Sequence, residues 1–203
     1  MALLSRPSRS VDLVSAYFIP GREFTDALEK LARSGLRIRI LTNSYAATDV
    51  PIVHSAYAKY RSQLLRSGIE LYELKSEHAV PDDEQGPGIG GSSRASLHSK
   101  TLAVDGERIF IGSFNFDPRS AFLNTEMGVL IDSPGLAGAL DSGFAERFPR
   151  LSYVPTLTES GGVEWRELTA GRNEIRHASE PGTGIVSRLL LWVMGLLPIE
   201  WLL

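Results

Sequence analysis

The sequence predicts an α/β fold, in which a mixed β-sheet is flanked by helices and carries a small β-rich and helical appendage at its C-terminal end. From Val11 onward, apolar strands alternate with amphipathic helical segments, a pattern typical of a sheet with crossover helices. The first two helical segments end at Gly35 and Gly68, as C-terminal caps commonly do. Two successive strand–helix–strand units predict three neighbouring parallel strands with right-handed crossovers.

The first of these strands is VDLVSAYF, which is rich in β-branched and aromatic residues. The helical segment after it places Phe24, Leu28 and Leu31 on one face. LRIRILTN alternates as the second strand, a second helical segment begins at VPIVHSAY, and IELYELK is the third strand. Residues 76–95 then break all periodicity with Gly, Pro, Ser and acidic residues, which is typical of a functional or disordered loop.

The second half of the chain begins with two apolar strands around Asp105–Gly106. NTEMGVLIDS predicts a further strand, and a helix begins at Pro134. Residues 153–179 predict the β-rich appendage, in which VEWREL and NEIRHAS are joined through residues 170–171. The chain closes on an apolar tail from Leu189.

The composition excludes several classes of chemistry. The 203 residues are 43% hydrophobic and include no cysteine, so disulfides, thiolate metal sites and a cysteine nucleophile are excluded, and the chain fits a reducing compartment. The net charge of -3 gives no general attraction for polyanions, which makes nucleic acid an unlikely partner. No apolar stretch reaches the roughly 20 residues of a membrane span.

Four polar residues on the hairpin indicate a functional site. Asp105–Gly106 predicts a two-residue turn. With that turn, His98 and Lys100 would share one face of the hairpin with Ser113 and Asn115, because side chains alternate along a strand. The predicted cross-strand pairs are Leu102–Ile109, Lys100–Ile111 and His98–Ser113.

In this arrangement His98 would act as nucleophile or acid–base, and Lys100 would neutralise a phosphate. Ser113 and Asn115 would supply polar donors. The alternative is a sheet edge with incidental polar side chains, but burying four such groups without partners or a ligand would be costly. Asp105 suits the turn irrespective of chemistry, so its residue type alone indicates a structural role.

The spacing of these residues resembles a known signature. His98-x-Lys100 is followed after four residues by Asp105, and after six more by Gly112-Ser113-x-Asn115; this resembles the H-K-D motif of the phospholipase D superfamily. The stretches VSAYFIPG, LTNSYAATDVPIVHSAYAKYRSQLL, SFNFDPRSAFLNTEMG and LPIEWLL resemble the C-terminal half of bacterial C-type cardiolipin synthases. The resemblance implies a phospholipase-D-like half domain over residues 1–150 and a C-terminal hairpin with an apolar helix over residues 151–203.

The resemblance also implies a reaction. His98 would attack a phosphodiester to give a phosphohistidine, a second histidine would protonate the leaving alkoxide, and the acceptor alcohol would reverse the step. Lys100 and Asn115 would hold the phosphate oxygens, with Ser113 as a further donor and no metal or cofactor. Asp105 belongs to the same catalytic signature. Glu126 occupies the position of a carboxylate that binds the nucleophile's other ring nitrogen; alternatively it is a surface residue at the start of a strand.

The resemblance implies phosphatidyl transfer between phospholipids, most simply cardiolipin synthesis, by a peripheral protein at the cytoplasmic face of a bacterial membrane. Because the motif occurs once, a second H-K-D half is expected as partner, either a missing N-terminal half or a second copy. Two alternatives stay open: a homodimeric phosphodiesterase or nuclease, and a non-catalytic lipid-binding half.

Two further predictions come from the residues themselves. Tyr17, Thr42 and Asn43 lie at the ends of the first two predicted strands, where open α/β sheets collect ligand contacts. They are therefore candidates for the substrate pocket. The tail from Leu189 is apolar around its whole circumference and contains two tryptophans, so it is either an interfacial membrane anchor or a terminal helix packed on the core.

Overall fold

The computed structural model describes residues 7–76, 97–169 and 173–195. The strands are β1 Ser10–Ser15, β2 Arg37–Asn43, β3 Glu70–Leu74, β4 Lys100–Val104, β5 Arg108–Gly112, β6 Gly128–Asp132, β7 Ser152–Leu157, β8 Val163–Leu168 and β9 Glu174–His177. The helices are α1 Gly21–Arg33, α2 Pro51–Arg66, α3 Pro118–Phe122, α4 Pro134–Ser142, α5 Phe148–Leu151 and α6 Ile185–Gly195, with a π-helical turn over Gly143–Arg147. The predicted loop over residues 76–95 lies almost entirely outside the described residues.

One mixed sheet of nine strands forms the centre of the described chain, in the order β6-β5-β4-β1-β2-β3-β7-β8-β9. β1, β2 and β3 are parallel neighbours, as the two strand–helix–strand units predicted. β4 joins β1 antiparallel. The predicted class, a mixed sheet flanked by helices, is confirmed.

The central strands direct apolar side chains to both faces of the sheet, and each face packs in its own hydrophobic cluster. Leu13, Ile40 and Leu71 face a core completed by α1 and α2. Val14 and Leu41 point to the other face and pack with the aromatic residues of the segment around the π-helical turn and α5. β1 and β2 are buried along almost their whole length, although both strands mix apolar with polar or charged residues.

Two buried ion-pair networks lie against this core. On one face, Arg39 makes a bidentate pair with Asp12 at 2.7 and 2.8 Å and also binds Asp141 of α4. On the other, Arg61 of α2 pairs with Glu73 of β3 at 2.7 Å. Removing one member of such a pair would leave a buried charge without its partner.

The Arg61 network extends to the chain that precedes α6. Arg61 donates to Glu180 at 2.6 Å, and His54 of α2 binds the same carboxylate. Burial alone would raise the pKa of Glu180, but Arg61 and His54 outweigh that effect and lower the pKa to about 2. A Cβ added to Gly182 would lie 2.9 Å from the Cβ of Ala46, and a Cβ added to Gly195 would lie 3.8 Å from the Cε of Lys59. α6 therefore lies along α2, and the segment just before α6 is bound to α2 by the ion pair between Glu180 and Arg61.

The predicted register of the β4–β5 hairpin is wrong by one residue. The structure pairs Thr101 with Ile111 and Leu102 with Phe110, so Lys100 is not opposite Ile111 and His98 is not opposite Ser113. The turn contains three residues, Asp105–Glu107, with positive φ at Asp105 and Gly106. The added residue, Glu107, is held by Arg9, which binds its carboxylate at 2.7 Å.

The C-terminal segment continues the same sheet. β7 pairs antiparallel with β3, and β8 and β9 follow as further antiparallel strands. The predicted junction at residues 170–171 lies outside the described residues, as does the tail beyond residue 195. Across the described ranges, no helix is long and apolar enough to span a membrane.

Asp105 fastens the hairpin turn to the start of β1. Its carboxylate accepts hydrogen bonds from the backbone amides of Ser8, Arg9 and Ser10 at 2.7–3.0 Å. Burial alone would raise the pKa of Asp105, but the hydrogen bonds from these amides outweigh that effect and lower the pKa to about 2. The contacts support the structural role that its residue type indicated.

We expect Asp105→Asn to lower the free energy of unfolding at pH 7 by about 1–2 kcal/mol, because bonds to a charged acceptor become bonds to a neutral one. Since folding depresses this pKa from its ordinary 3.8, the stabilisation is present above about pH 4 and is lost as the pH falls towards 2. Thermal unfolding between pH 2 and 7 measures the difference from the wild type. Asp132→Asn, at an exposed site on β6, is the control; an equal effect of both variants would contradict the assignment.

Candidate functional site

The candidate site lies where the carboxyl ends of β1 and β2 meet the amino end of β4. Asn43, at the end of β2, donates from Nδ2 to the carbonyls of Ala16 and Leu97 at 3.1 and 3.3 Å. Its Oδ1 accepts from the amide of Leu97 at 2.9 Å. Asn43 is therefore buried in a contact that positions the residue before His98, and its place in the substrate pocket stays a prediction.

His98 and Lys100 form the centre of the site. The His98 side chain is exposed and Lys100 is buried beside it. The Lys100 ammonium donates to the backbone carbonyl of His98 at 2.9 Å and lies 3.4 Å from ring atom Nδ1. Within the described chain, no hydrogen bond to Nε2 of His98 is found.

Burial lowers the pKa of Lys100, and three carboxylates oppose that effect. Glu126 is the strongest of them, followed by Asp117 and Asp49. The site is thus a buried cation with acidic groups around it, and an exposed imidazole at its surface.

Ser113 and Glu126 meet beside this cation. The hydroxyl of Ser113 donates to Glu126 Oε2 at 2.5 Å, and Asn124 donates to Oε1 at 3.2 Å. The Ser113 hydrogen bond lowers the pKa of Glu126. Gly112 is needed here, because a Cβ would lie 2.5 Å from the carbonyl oxygen of Met127.

The predicted contact between Glu126 and the second ring nitrogen of His98 is not found among the described residues. The pairing of β5 with β6 explains this, since it brings Met127 opposite Ser113, whose amide binds the Met127 carbonyl at 2.8 Å. Glu126 is thereby placed beside the Ser113 hydroxyl. Lys100, not Glu126, is the group next to Nδ1.

Asn115 lines a polar cavity of about 330 Å³ together with Tyr17, Asp117, Arg119 and Asn124. Its Oδ1 atom is buried and has no hydrogen-bond partner within the described ranges. A buried amide oxygen without a partner is costly unless a ligand or water satisfies it.

Tyr17 forms one wall of this polar cavity. Its hydroxyl donates to Asp49 at 2.8 Å, and burial together with Asp49 raises the pKa of Tyr17 to about 12. Asp49, Asp117 and Arg119 were not predicted as site residues. Of these, only Asp117 had a usable local signal: an Asp before Pro118, where it caps α3 by accepting from the Ser120 amide at 2.7 Å.

The structure thus brings His98, Lys100, Ser113, Glu126 and Asn115 to one end of the sheet, with Tyr17 beside them. Two predicted residues are elsewhere: Asp105 is at the far end of β4, and Thr42 is buried within β2, opposite Glu73. Among the described residues, no group of three or more His, Asp or Glu side chains could hold a metal ion.

Comparison with known proteins identifies the family and the fold of the chain. Residues 1–148 match the family described as "Cardiolipin synthase, PLD-like domain". The chain is 43% identical to cardiolipin synthase C of Escherichia coli K12 over 99% of its own length and 42% of that protein. It is 30% identical to a cardiolipin synthase of Geobacillus thermodenitrificans, over 75% of this chain and 26% of that one. The chain therefore spans less than half the length of these relatives.

Two solved structures share the fold. The phospholipase D family member Nuc from Salmonella typhimurium superposes with a TM-score of 0.56 at 19% identity, covering 76% of this chain and 87% of that one. The phosphatidylserine synthase of Haemophilus influenzae gives 0.53 at 18% identity, covering 75% and 35%. The chain belongs to the phospholipase D superfamily, in the family of cardiolipin synthase-like domains, and the resemblance of its sequence to the C-type cardiolipin synthases is confirmed.

Proposed function

We propose that this chain supplies one half of a phosphatidyltransferase site that acts on phospholipids in cardiolipin synthesis. The observation that carries the proposal is the exposed His98 imidazole held beside the buried Lys100 ammonium. The pair combines a nucleophile with a fixed positive charge, the two components that displacement at an anionic phosphodiester requires. Similarity to several cardiolipin synthases supports a lipid substrate.

In the first step, the lone pair of His98 Nε2 attacks phosphorus; this requires the ring proton to be on Nδ1, with the Lys100 ammonium bound to the phosphate rather than to the ring. The bond from phosphorus to the leaving oxygen breaks, and a second histidine protonates that oxygen. In the second step, this histidine takes the proton of the acceptor hydroxyl, whose oxygen attacks phosphorus; the phosphorus–nitrogen bond breaks and its electron pair returns to Nε2. Lys100 and Asn115 would bind the phosphate oxygens, on which negative charge develops. Ser113 would join them when its hydroxyl turns from Glu126 to the phosphate.

Glu126 acts in this proposal as a positioning residue. Its hydrogen bond orients the Ser113 hydroxyl, and its charge favours the protonated form of Lys100. Without that carboxylate, burial would lower the pKa of Lys100 further.

The second histidine would come from a partner half that covers an exposed apolar surface beside the site. This surface, the β6 patch, consists of Phe122, Leu123, Met127, Val129 and Leu130, which are 52–83% exposed. It begins next to Glu126 and includes an outer strand of the sheet. Exposed apolar patches of this kind mark interaction sites, and a partner here would lie within reach of His98.

Helix α6 would attach the site to the cytoplasmic face of the membrane. Six of its apolar residues are exposed, including Trp192 at 64%, and Leu191 is its buried contact. An exposed apolar helix with a tryptophan is suited to the headgroup boundary of a bilayer. Because α6 is attached beside the loop that follows β2, it would hold the site near the lipid surface.

The proposed reaction can be tested by mixing this chain with a half domain that carries a second His-x-Lys motif, on vesicles of phosphatidylglycerol. We expect cardiolipin to form, and His98→Ala to reduce the rate by at least about a thousandfold, since a covalent nucleophile is lost. His177→Ala is the matched control, because His177 lies in β9 and binds Glu167.

Two results would contradict the proposal. One is transfer by the folded His98→Ala variant at the wild-type rate. The other is cleavage of nucleic acid, without lipid transfer, by the same mixture or by this chain alone.

The membrane contact predicts that Trp192→Glu should lower the vesicle-bound fraction several-fold while thermal unfolding changes little, because this side chain is exposed. Flotation with anionic vesicles measures the bound fraction. Ile175→Glu places the same charge at an exposed apolar site on β9 and should leave flotation unchanged. Unaltered flotation of folded Trp192→Glu would exclude α6 as the anchor.

A further inference from the structure

The segment from Phe114 to Phe122 lies between two cavities that are lined by different kinds of side chain. On one side lies the polar cavity lined by Asn115 and Tyr17. On the other lies an apolar groove of about 540 Å³ between the first turn of α1 and α3. Asp117 lines both.

Alternation along the chain produces this division. Phe114 and Phe116 line the apolar groove, whereas Asn115, between them, lines the polar cavity. The ring of Phe116 packs edge-on against Phe114, with centroids 5.4 Å apart, and stacks on Phe24 at 5.8 Å. These packed rings give the groove a fixed apolar wall, which is extended by Ala27, Ala121 and the 83%-exposed Phe122.

A ligand whose phosphate contacts Asn115 would therefore have mainly polar side chains on one side and packed aromatic rings on the other. This division matches a phosphodiester that joins a polar headgroup to a diacylglycerol. The volume of the apolar groove, about 540 Å³, lies within the range of protein cavities that hold small ligands.

We propose that the apolar groove holds an acyl chain of the phospholipid, with the headgroup in the polar cavity. The inference rests on the proposed function, since it assigns parts of that substrate to the two cavities. The groove and the polar cavity share Asp117 in their linings, so the groove adjoins the cavity that contains Asn115. The groove contributes affinity in proportion to the apolar surface that the chain buries.

The test compares two probes that share a headgroup: dihexanoyl phosphatidylglycerol below its micellar concentration, and glycerophosphoglycerol, which has no acyl chains. Titration calorimetry on the 203-residue chain measures both affinities. Ala27→Trp fills the groove from an exposed position on α1. Lys30→Trp introduces the same side chain one turn further along α1, at an exposed position that does not line the groove.

We expect the wild type to bind the lipid at least about tenfold more tightly than the chain-free probe. Ala27→Trp should remove that advantage and leave the affinity for glycerophosphoglycerol unchanged, while Lys30→Trp should change neither. Circular dichroism and thermal unfolding establish that both variants are folded.

Equal affinity of the wild type for the two probes, or an undiminished lipid preference in Ala27→Trp, would overturn the proposal. So would no binding of the lipid by the wild type. The outcome is separable from that of the proposed function: a chain-dependent affinity abolished by Ala27→Trp, in a chain that supports no phosphatidyl transfer, would retain the groove and reject the reaction. Phosphatidyl transfer that Ala27→Trp leaves unchanged would retain the proposed reaction and reject the groove as the acyl-chain site.

Discussion

The amide side chain of Asn43 is the contact on which the site depends. It binds both the chain leaving β1 and the chain entering β4, through hydrogen bonds to Ala16 and Leu97. These two segments are far apart in sequence, and their junction fixes where His98 leaves the sheet. The burial of Lys100 follows from the same junction, because Lys100 pairs with Ser15 at the end of β1. The position of an exposed imidazole beside a buried ammonium is therefore a consequence of the sheet.

Much of the fold could be predicted because local pattern and tertiary structure agree there. The three parallel strands have period-two or continuous apolar patterns, and α1 and α2 end at glycines with positive φ. The hairpin register could not be predicted, because Asp105–Gly106 fits a turn of three residues as well as one of two, and the structure has Glu107 as the third turn residue. The sequence of the turn alone does not choose between these lengths.

The motif residues could be predicted as a set, whereas their partners could not. His98, Lys100, Ser113 and Asn115 do gather at one end of the sheet, although through the β1–β4 junction and the β5–β6 pairing rather than through the predicted pairs. The expected contact of Glu126 depended on resemblance and is replaced by Ser113. Asn43 was predicted to line the pocket, and a buried asparagine that holds two backbone segments has no sequence signal that distinguishes it from a ligand-binding residue. The two cavities are likewise a product of packing.

Within the residues that the structure describes, the chain combines a site with one histidine, an uncovered apolar edge and an apolar helix attached next to the site. These features agree with a half that works with a second half at a lipid surface, and the central claim within them is that His98 carries the phosphatidyl group. Mass spectrometry of the assembled protein, quenched during turnover on labelled phospholipid, tests that claim most directly. The account predicts an acid-labile phosphatidyl adduct on the peptide containing His98. An adduct on another residue, or none in a preparation that is turning over, would contradict it.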